Sequence, residues 1–327
     1  MADADTEEQD MEIYILKNSS GMAAHLSDYG ATLVKLLVPS RDGELIDVVL
    51  GYDDKDAYEA GTMSMGGIIG RVANRIGGAA FELDGTVYDL TANDSKNTLH
   101  GGRDFYNKRS WEAEAVTESS VKFHLNSADM DQGFPGNLSI DVTYSLTEDN
   151  ELKISYEAVT DKDTVFSPTN HSYFNLNGGG DARNHIVWIN ADSITAVNED
   201  LIPSGDLLEV KGSDYDFTAP KAVISARNGD YDHNYVISGQ GFRKAASAYS
   251  DKSGIEMTVW TDMPCMQFYT SANLDGIGKN SEKYDPYSAL CFETQFAPDA
   301  VNHKNFEQPV LKAGERFSSQ TVYAFGF

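Results

Sequence analysis

The chain has 327 residues, 41% of them hydrophobic and 11% aromatic, which is enough to bury a sizeable core and argues against disorder. Its 51 acidic and 25 basic side chains leave a formal charge of -26. Such a chain repels nucleic-acid phosphates and anionic membrane surfaces, and a sugar phosphate too unless a local basic pocket intervenes, so a neutral polar small molecule is the partner that fits.

In chain order, the dense acid run Met1–Asp10 (MADADTEEQD) reads as a flexible tail ahead of a single domain spanning 11–327. That run has no basic n-region and no apolar stretch, so it is not read as a signal peptide. No run of about 18 apolar residues offers a membrane span. Asp53–Ala60 reads as a short helix. Phe81 and Leu83, then Asp84-Gly85, then Val87 predict a hairpin with a two-residue type I′ turn. Val121–Leu125 alternates apolar with polar. From 138 to 146, Leu138, Ile140, Val142, Tyr144 and Leu146 share one face, against Ser139, Asp141, Thr143 and Ser145. After the turn Thr147–Glu151 the alternation resumes with Leu152, Ile154, Tyr156 and Ala158, so the two segments predict an antiparallel hairpin with one buried face. Gly178-Gly179-Gly180 is a loop inside the domain, and Ile255–Thr261 alternates again. Turn signals every ten or so residues, with no long 3.6-residue period, predict an all-β protein: a large antiparallel β-sandwich with few short helices. The two cysteines, Cys265 and Cys291, are too few for a disulfide framework. They read as buried thiols of a cytoplasmic protein.

Five segments set His, Arg, Asp or Glu among small and amide residues in the loops between strands, where catalytic groups usually sit. They are GRVANRIG at 70–77, NTLHGG at 97–102, SPTNHSYFNL at 167–176, YDHNY at 231–235 and CFETQFAPDAVN at 291–302. Together they resemble the aldose 1-epimerase (galactose mutarotase) family. Asn170-His171 followed by Ser172-Tyr173-Phe174-Asn175-Leu176 is similar to the signature around that family's catalytic histidine. Leu99-His100-Gly101-Gly102, Gly133-Phe134-Pro135-Gly136-Asn137, Asp232-His233-Asn234, Gln267-Phe268-Tyr269-Thr270 with Asn273-Leu274-Asp275-Gly276, and Glu293-Thr294-Gln295 match its other landmarks in the same order. The resemblance covers nearly the whole chain.

The resemblance implies a galactose mutarotase-like supersandwich that interconverts the α and β anomers of a free aldohexose such as galactose or glucose, without metal or cofactor. That reaction opens the hemiacetal, turns the aldehyde carbon about its bond to C2 and closes on the other face. Opening takes a proton from the C1 hydroxyl and gives one to the ring oxygen, so a base and an acid must flank C1 together. Histidine starts near the required affinity, at about 6.5. Glutamate must be raised from about 4.3 by burial or a neighbouring carboxylate. By resemblance Glu293 is the base, His171 the acid, and His100 a second histidine near the anomeric end. Asp232 is the carboxylate that accepts from sugar hydroxyls, and Asn74, Arg75 and Gln267 form the polar wall.

Other readings stand beside these. His124, on the polar side of its strand, reads as merely solvated, as do His25, His185 and His303, while His233 is ambiguous. Asp232 alone could cap a turn, and Arg75 could be an ion-pair partner. Two histidines with an Asp and a Glu are zinc-like ligands, but no HExxH or close His pair is present. Gly66-Gly67-Ile68-Ile69-Gly70 lacks the dinucleotide spacing and no P-loop occurs. Two other functions remain open: a glycoside hydrolase using Asp232 and Glu293, and a catalytically silent carbohydrate-binding protein of the same fold. The preferred aldose and the oligomeric state, monomer or homodimer, are not specified by these residues.

Overall fold

Apolar side chains alternating with polar ones bury one face of a strand, and strands of this kind build the molecule. A computed structural model describes residues 11–327; the acidic run 1–10, with the expectation of a flexible tail, lies outside the described residues. The largest sheet has nine strands in the order Glu112–Glu114, Ser120–Ser127, Leu138–Leu146, Glu151–Thr160, Arg316–Gly326, Glu256–Thr261, Arg243–Tyr249, Ile186–Ile189 and Lys221–Ala222. A five-stranded sheet runs Pro203–Glu209, Ala191–Val197, Asp232–Ile237, Cys265–Tyr269 and Cys291–Gln295. A four-stranded sheet at the start of the described chain runs Ile13–Lys17, Ala23–Ser27, Thr32–Pro39 and Leu45–Asp47. Neighbouring strands are antiparallel throughout these sheets. One buried apolar cluster draws on all three, from Leu16 through Val142, Tyr156 and Phe268 to Phe292 and Phe325. The β-sandwich expected from the period is thus what forms.

The hairpin read from the sequence pairs from Leu138 with Thr160 to Leu146 with Leu152, and its five alternate apolar residues are all buried. Burying each such side chain stabilises by about 1.5–3 kcal/mol, so the register cannot slip by one residue without exposing the whole set. Asp84 and Gly85 both have positive φ, 51° and 77°, as a type I′ turn demands. The short helix is Lys55–Ala60, where the Ala57 N–H donates to Oδ1 of Asp54 at 2.9 Å.

The histidines outside the site divide. His124 lies on the polar face, yet it is half-buried and paired with Asp141 at 2.7 Å rather than merely solvated. His303 similarly pairs with Asp299 at 3.1 Å. His185 departs further from expectation: it is buried, its Nε2 accepts from the Leu176 N–H at 3.0 Å, and its Nδ1 lies 2.7 Å from the Ala182 carbonyl. Its strand-edge turn folds under the core, so the ring serves as a structural bridge. Both cysteines are buried and unpaired.

The connection between the strands Cys265–Tyr269 and Cys291–Gln295 is pinned by one lysine. Lys279 is buried and donates to Asp47 at 2.6 Å and to the carbonyls of Val34 and Val49. Removing one partner of a buried pair leaves the other charge uncompensated. Asp47→Ala is therefore expected to cost about 3 kcal/mol in urea unfolding; a loss below about 1 kcal/mol would show that the carbonyls alone satisfy the ammonium.

Candidate active site

Two loops and one sheet face build the cleft. The first loop turns at Thr169–Asn170, which pairs with Ile68–Ile69. The Asn170 amide donates to the Gly66 carbonyl at 2.8 Å and to the Tyr144 hydroxyl at 3.2 Å, and its Oδ1 accepts from the Ser172 N–H at 3.1 Å. With the His171 N–H on the Gly67 carbonyl at 3.0 Å, the backbone on both sides of His171 is fixed. Gly66 is required there: its φ is +70° and a Cβ would sit 2.3 Å from the Leu33 carbonyl oxygen.

The second loop follows the pairing of Arg75–Ile76 with Thr98–Leu99. Asn74 and His100, the next residues out, both have positive φ and clasp each other. The His100 N–H donates to the Asn74 carbonyl at 3.0 Å, and the Asn74 N–H donates to Nδ1 of His100 at 3.2 Å. Because Nδ1 accepts, a neutral His100 carries its proton on Nε2. Gly101 follows because a Cβ there would lie 2.1 Å from the Gly70 carbonyl oxygen.

The sheet supplies the rest. Asn234, Gln267 and Glu293 are direct partners on three adjacent strands and so share a face, with Asp232 and Tyr269 one row along it. Gln267 donates to Asp232 at 2.6 Å. All seven residues singled out in the sequence, Asn74, Arg75, His100, His171, Asp232, Gln267 and Glu293, line one cleft of about 190 Å³. Tyr173, Tyr269 and Asn273 line it too, as do Thr62, Met63 and Ser64, which gave no sequence signal. His233 is left outside: its ring packs on Tyr215 at 4.5 Å and its Nδ1 accepts from the Asp232 N–H. Asp232 starts a strand rather than capping a turn. Arg75 does both things read for it, lining the cleft while its Nε donates to Asp94 at 2.8 Å.

At the floor, Nε2 of His171 lies 3.5 Å from Oε2 of Glu293, with both side chains buried. Tyr173 stacks on the His171 ring at 5.0 Å and 10°, and His100 meets that ring edge-on at 5.3 Å. Burial pushes the Glu293 carboxyl well above its ordinary range, the Asp232 charge pushes the same way, and Arg75 opposes. Burial also raises Asp232, against its hydrogen bond from Gln267. The imidazoles move oppositely: burial lowers His171 to about 4, and burial with the nearby His171 and Arg75 lowers His100 well below its ordinary value. A pair holding one proton therefore keeps it on Glu293 in the empty cleft, with His171 neutral. The donor atoms of His100, His171 and Glu293 also converge within 4.8 Å, a grouping that their scattered sequence positions conceal.

A buried acid and base facing each other in a polar cleft on a β-sandwich define a proton-transfer enzyme for a small polar substrate. The profile of the aldose 1-epimerase family matches residues 12–324. The chain is 37% identical to an aldose 1-epimerase of Escherichia coli K12, over 97% of this chain and 96% of that one. It is also 37% identical to a galactose mutarotase of Homo sapiens, over 91% and 89% of the two chains. Among solved structures it is similar to an aldose epimerase homologue from C. elegans, with a TM-score of 0.93 and 34% identity over 97% and 99% of the chains. The chain belongs to the aldose 1-epimerase family. It is an isomerase that interconverts anomers.

The electrostatics can be checked without substrate. The His171 imidazole is expected to titrate near pH 4 by NMR and to be neutral at pH 7; a midpoint near 6.5 would contradict its burial.

Proposed function

We propose that His171 and Glu293 open and reclose the ring of a free aldohexose, galactose or glucose, within the domain spanning 11–327. The observation that carries this reading is their buried contact at 3.5 Å, with proton affinities shifted toward each other from opposite sides. In the reacting state Glu293 is the carboxylate and His171 the imidazolium. Glu293 takes the proton of the C1 hydroxyl while His171 delivers its own to the ring oxygen, and the C1–O5 bond breaks. The proton shared by the pair has then moved from His171 to Glu293 through the sugar, leaving the neutral pair that burial favours. After rotation about C1–C2, His171 takes the proton of the C5 hydroxyl as its oxygen attacks C1, and Glu293 returns a proton to O1. No proton is gained or lost over the cycle.

His100, with Nε2–H as donor, hydrogen-bonds the ring or anomeric oxygen. Asp232 accepts from hydroxyls, while Asn74, Arg75 and Gln267 complete the wall. A free sugar suits the cleft better than a phosphorylated one, because Arg75 is its one lining cation and is already engaged by Asp94. Relatives named galactose mutarotase support galactose as a substrate. The buried free thiols of Cys265 and Cys291 support a reducing, cytoplasmic setting. A hydrolase or a silent binding protein would leave the His171–Glu293 contact without a task.

Polarimetry of freshly dissolved α-galactose and α-glucose tests the reading. His171→Asn and Glu293→Gln are each expected to lower kcat by about 10²–10⁴-fold with the far-UV spectrum unchanged; near-wild-type rates in either would remove the assignment. Asp232→Asn removes a charge-assisted acceptor and is expected to raise KM roughly tenfold or more. An unchanged KM would take Asp232 out of the sugar's reach.

A further inference from the structure

The sheet face that carries Glu293 continues past the cleft as a polar row. Asn234, Gln267 and Glu293 are direct partners on adjacent strands. Thr195, one residue beyond the pair Ile194 and Tyr235, is level with Asn234 on the next strand. Gln295, two residues beyond Glu293, faces the same way and pairs with Cys265. Thr195, Asn234 and Gln295 are at most 2% exposed and do not line the sugar cleft. The row contains Oγ1 of Thr195, both amide atoms of Asn234, Oε1 of Gln267, both amide atoms of Gln295 and Oε2 of Glu293, and none of these has a hydrogen-bond partner among the described residues. Turning the amide of Asn234 or Gln295 over does not help, since both of its ends are unpartnered. The Cys265 thiol beside Asn234 offers only a weak bond.

Buried polar atoms are almost always satisfied, and a concentration of orphaned donors and acceptors in one place is the pattern that encloses water. An apolar core of the same shape would need no amides at all. The row also ends on Oε2 of Glu293, the buried oxygen that lies 3.5 Å from Nε2 of His171.

We propose that Thr195, Asn234, Gln267 and Gln295 hold ordered water against Oε2 of Glu293, and that this water sets how readily the carboxyl gives up its proton. Thr195, Asn234 and Gln295 are then positioning residues that act through water and never touch the sugar. The proposal rests on Glu293 being the proton-transfer carboxyl. The pair works while it holds one proton, so activity falls at acid pH as His171 takes a second proton, and at alkaline pH as Glu293 loses its own. Water that donates to the carboxylate stabilises the charged form. Its removal shifts Glu293 upward, and the alkaline limb follows to higher pH.

The test is the pH dependence of kcat/KM in Gln295→Met, Thr195→Val and Thr195→Ser, beside Glu293→Gln. Gln295→Met is expected to move the alkaline limb up by about half to one pH unit, so that at a fixed pH on that limb it outpaces the wild type about three- to tenfold. Thr195→Val, which keeps the shape and loses only the hydroxyl, is expected to move the limb the same way by less. Thr195→Ser restores the hydroxyl and is expected to overlay the wild type. KM for the sugar is expected to stay unchanged in all three. Superimposable profiles for Thr195→Val and Gln295→Met would overturn the proposal. So would a shift in Thr195→Val that Thr195→Ser fails to restore. Should Gln295→Met not fold, the Thr195 pair decides. If Glu293→Gln keeps its activity, the assignment of Glu293 as the base has failed, which the other variants alone would not reveal.

Discussion

One proton shared by a buried imidazole and a buried carboxyl is the constraint on which the rest of this structure depends. In water the proton belongs to histidine, whose ordinary value of 6.5 lies above the 4.5 of glutamate. Transfer from His171 to Glu293 through a sugar would then be uphill. Burial penalises whichever form is charged, so it lowers the imidazole and raises the carboxyl at once. A single environmental variable thus reverses the order, and the proton of the pair rests on Glu293. The Tyr173 ring stacked on His171 supplies part of that burial.

Holding two ionisable groups that deep, 3.5 Å apart, demands rigid elements on both sides. Glu293 sits on the last strand of the five-stranded sheet, with its chain neighbour Phe292 buried in the main core. His171 has no strand of comparable length and is fixed instead by Asn170, whose amide reaches the Gly66 carbonyl and the Tyr144 hydroxyl. Tyr144 belongs to the long hairpin of the nine-stranded sheet and donates in turn to the Ala31 carbonyl at 2.7 Å. The backbone beside His171 is therefore tied to the long hairpin of the nine-stranded sheet and, through Tyr144, to the residue ahead of the strand Thr32–Pro39.

The period of the chain made much of this legible. Where alternation is clean, as from Leu138 to Leu146, face, register and hairpin all follow from one pattern. The seven cleft residues were legible through their resemblance to the family's motifs, and parts of those motifs have local causes: Asn170 caps the turn beside His171, and Gly101 allows close approach to Gly70. What spans strands was not legible. Phe292 is the sequence neighbour of Glu293, but a strand turns neighbours to opposite faces, and Phe292 belongs to the core behind. For His171 it is the residue two along, Tyr173, that stacks on the ring. Thr62–Ser64 and Thr195 carry no pattern of their own, and only the folded chain places them beside the site. His185 reads as a surface histidine until the fold closes over it.

Binding and catalysis are also joined through charge. Asp232 lines the cleft, and its charge helps to hold the Glu293 proton. Hydroxyls donating to Asp232 stabilise its ionised form, against the burial that favours the neutral one. A bound sugar therefore keeps that negative charge in place while the pair works. Arg75 acts in the opposite sense on both carboxyls, and Asp94 tempers its charge from outside the cleft. The charged wall groups thus influence the proton on Glu293 as well as the sugar. That coupling is why a neutral, hydroxyl-rich ligand suits so acidic a chain: it satisfies the carboxylates by donating to them, without bringing a charge that would shift the proton they help to hold.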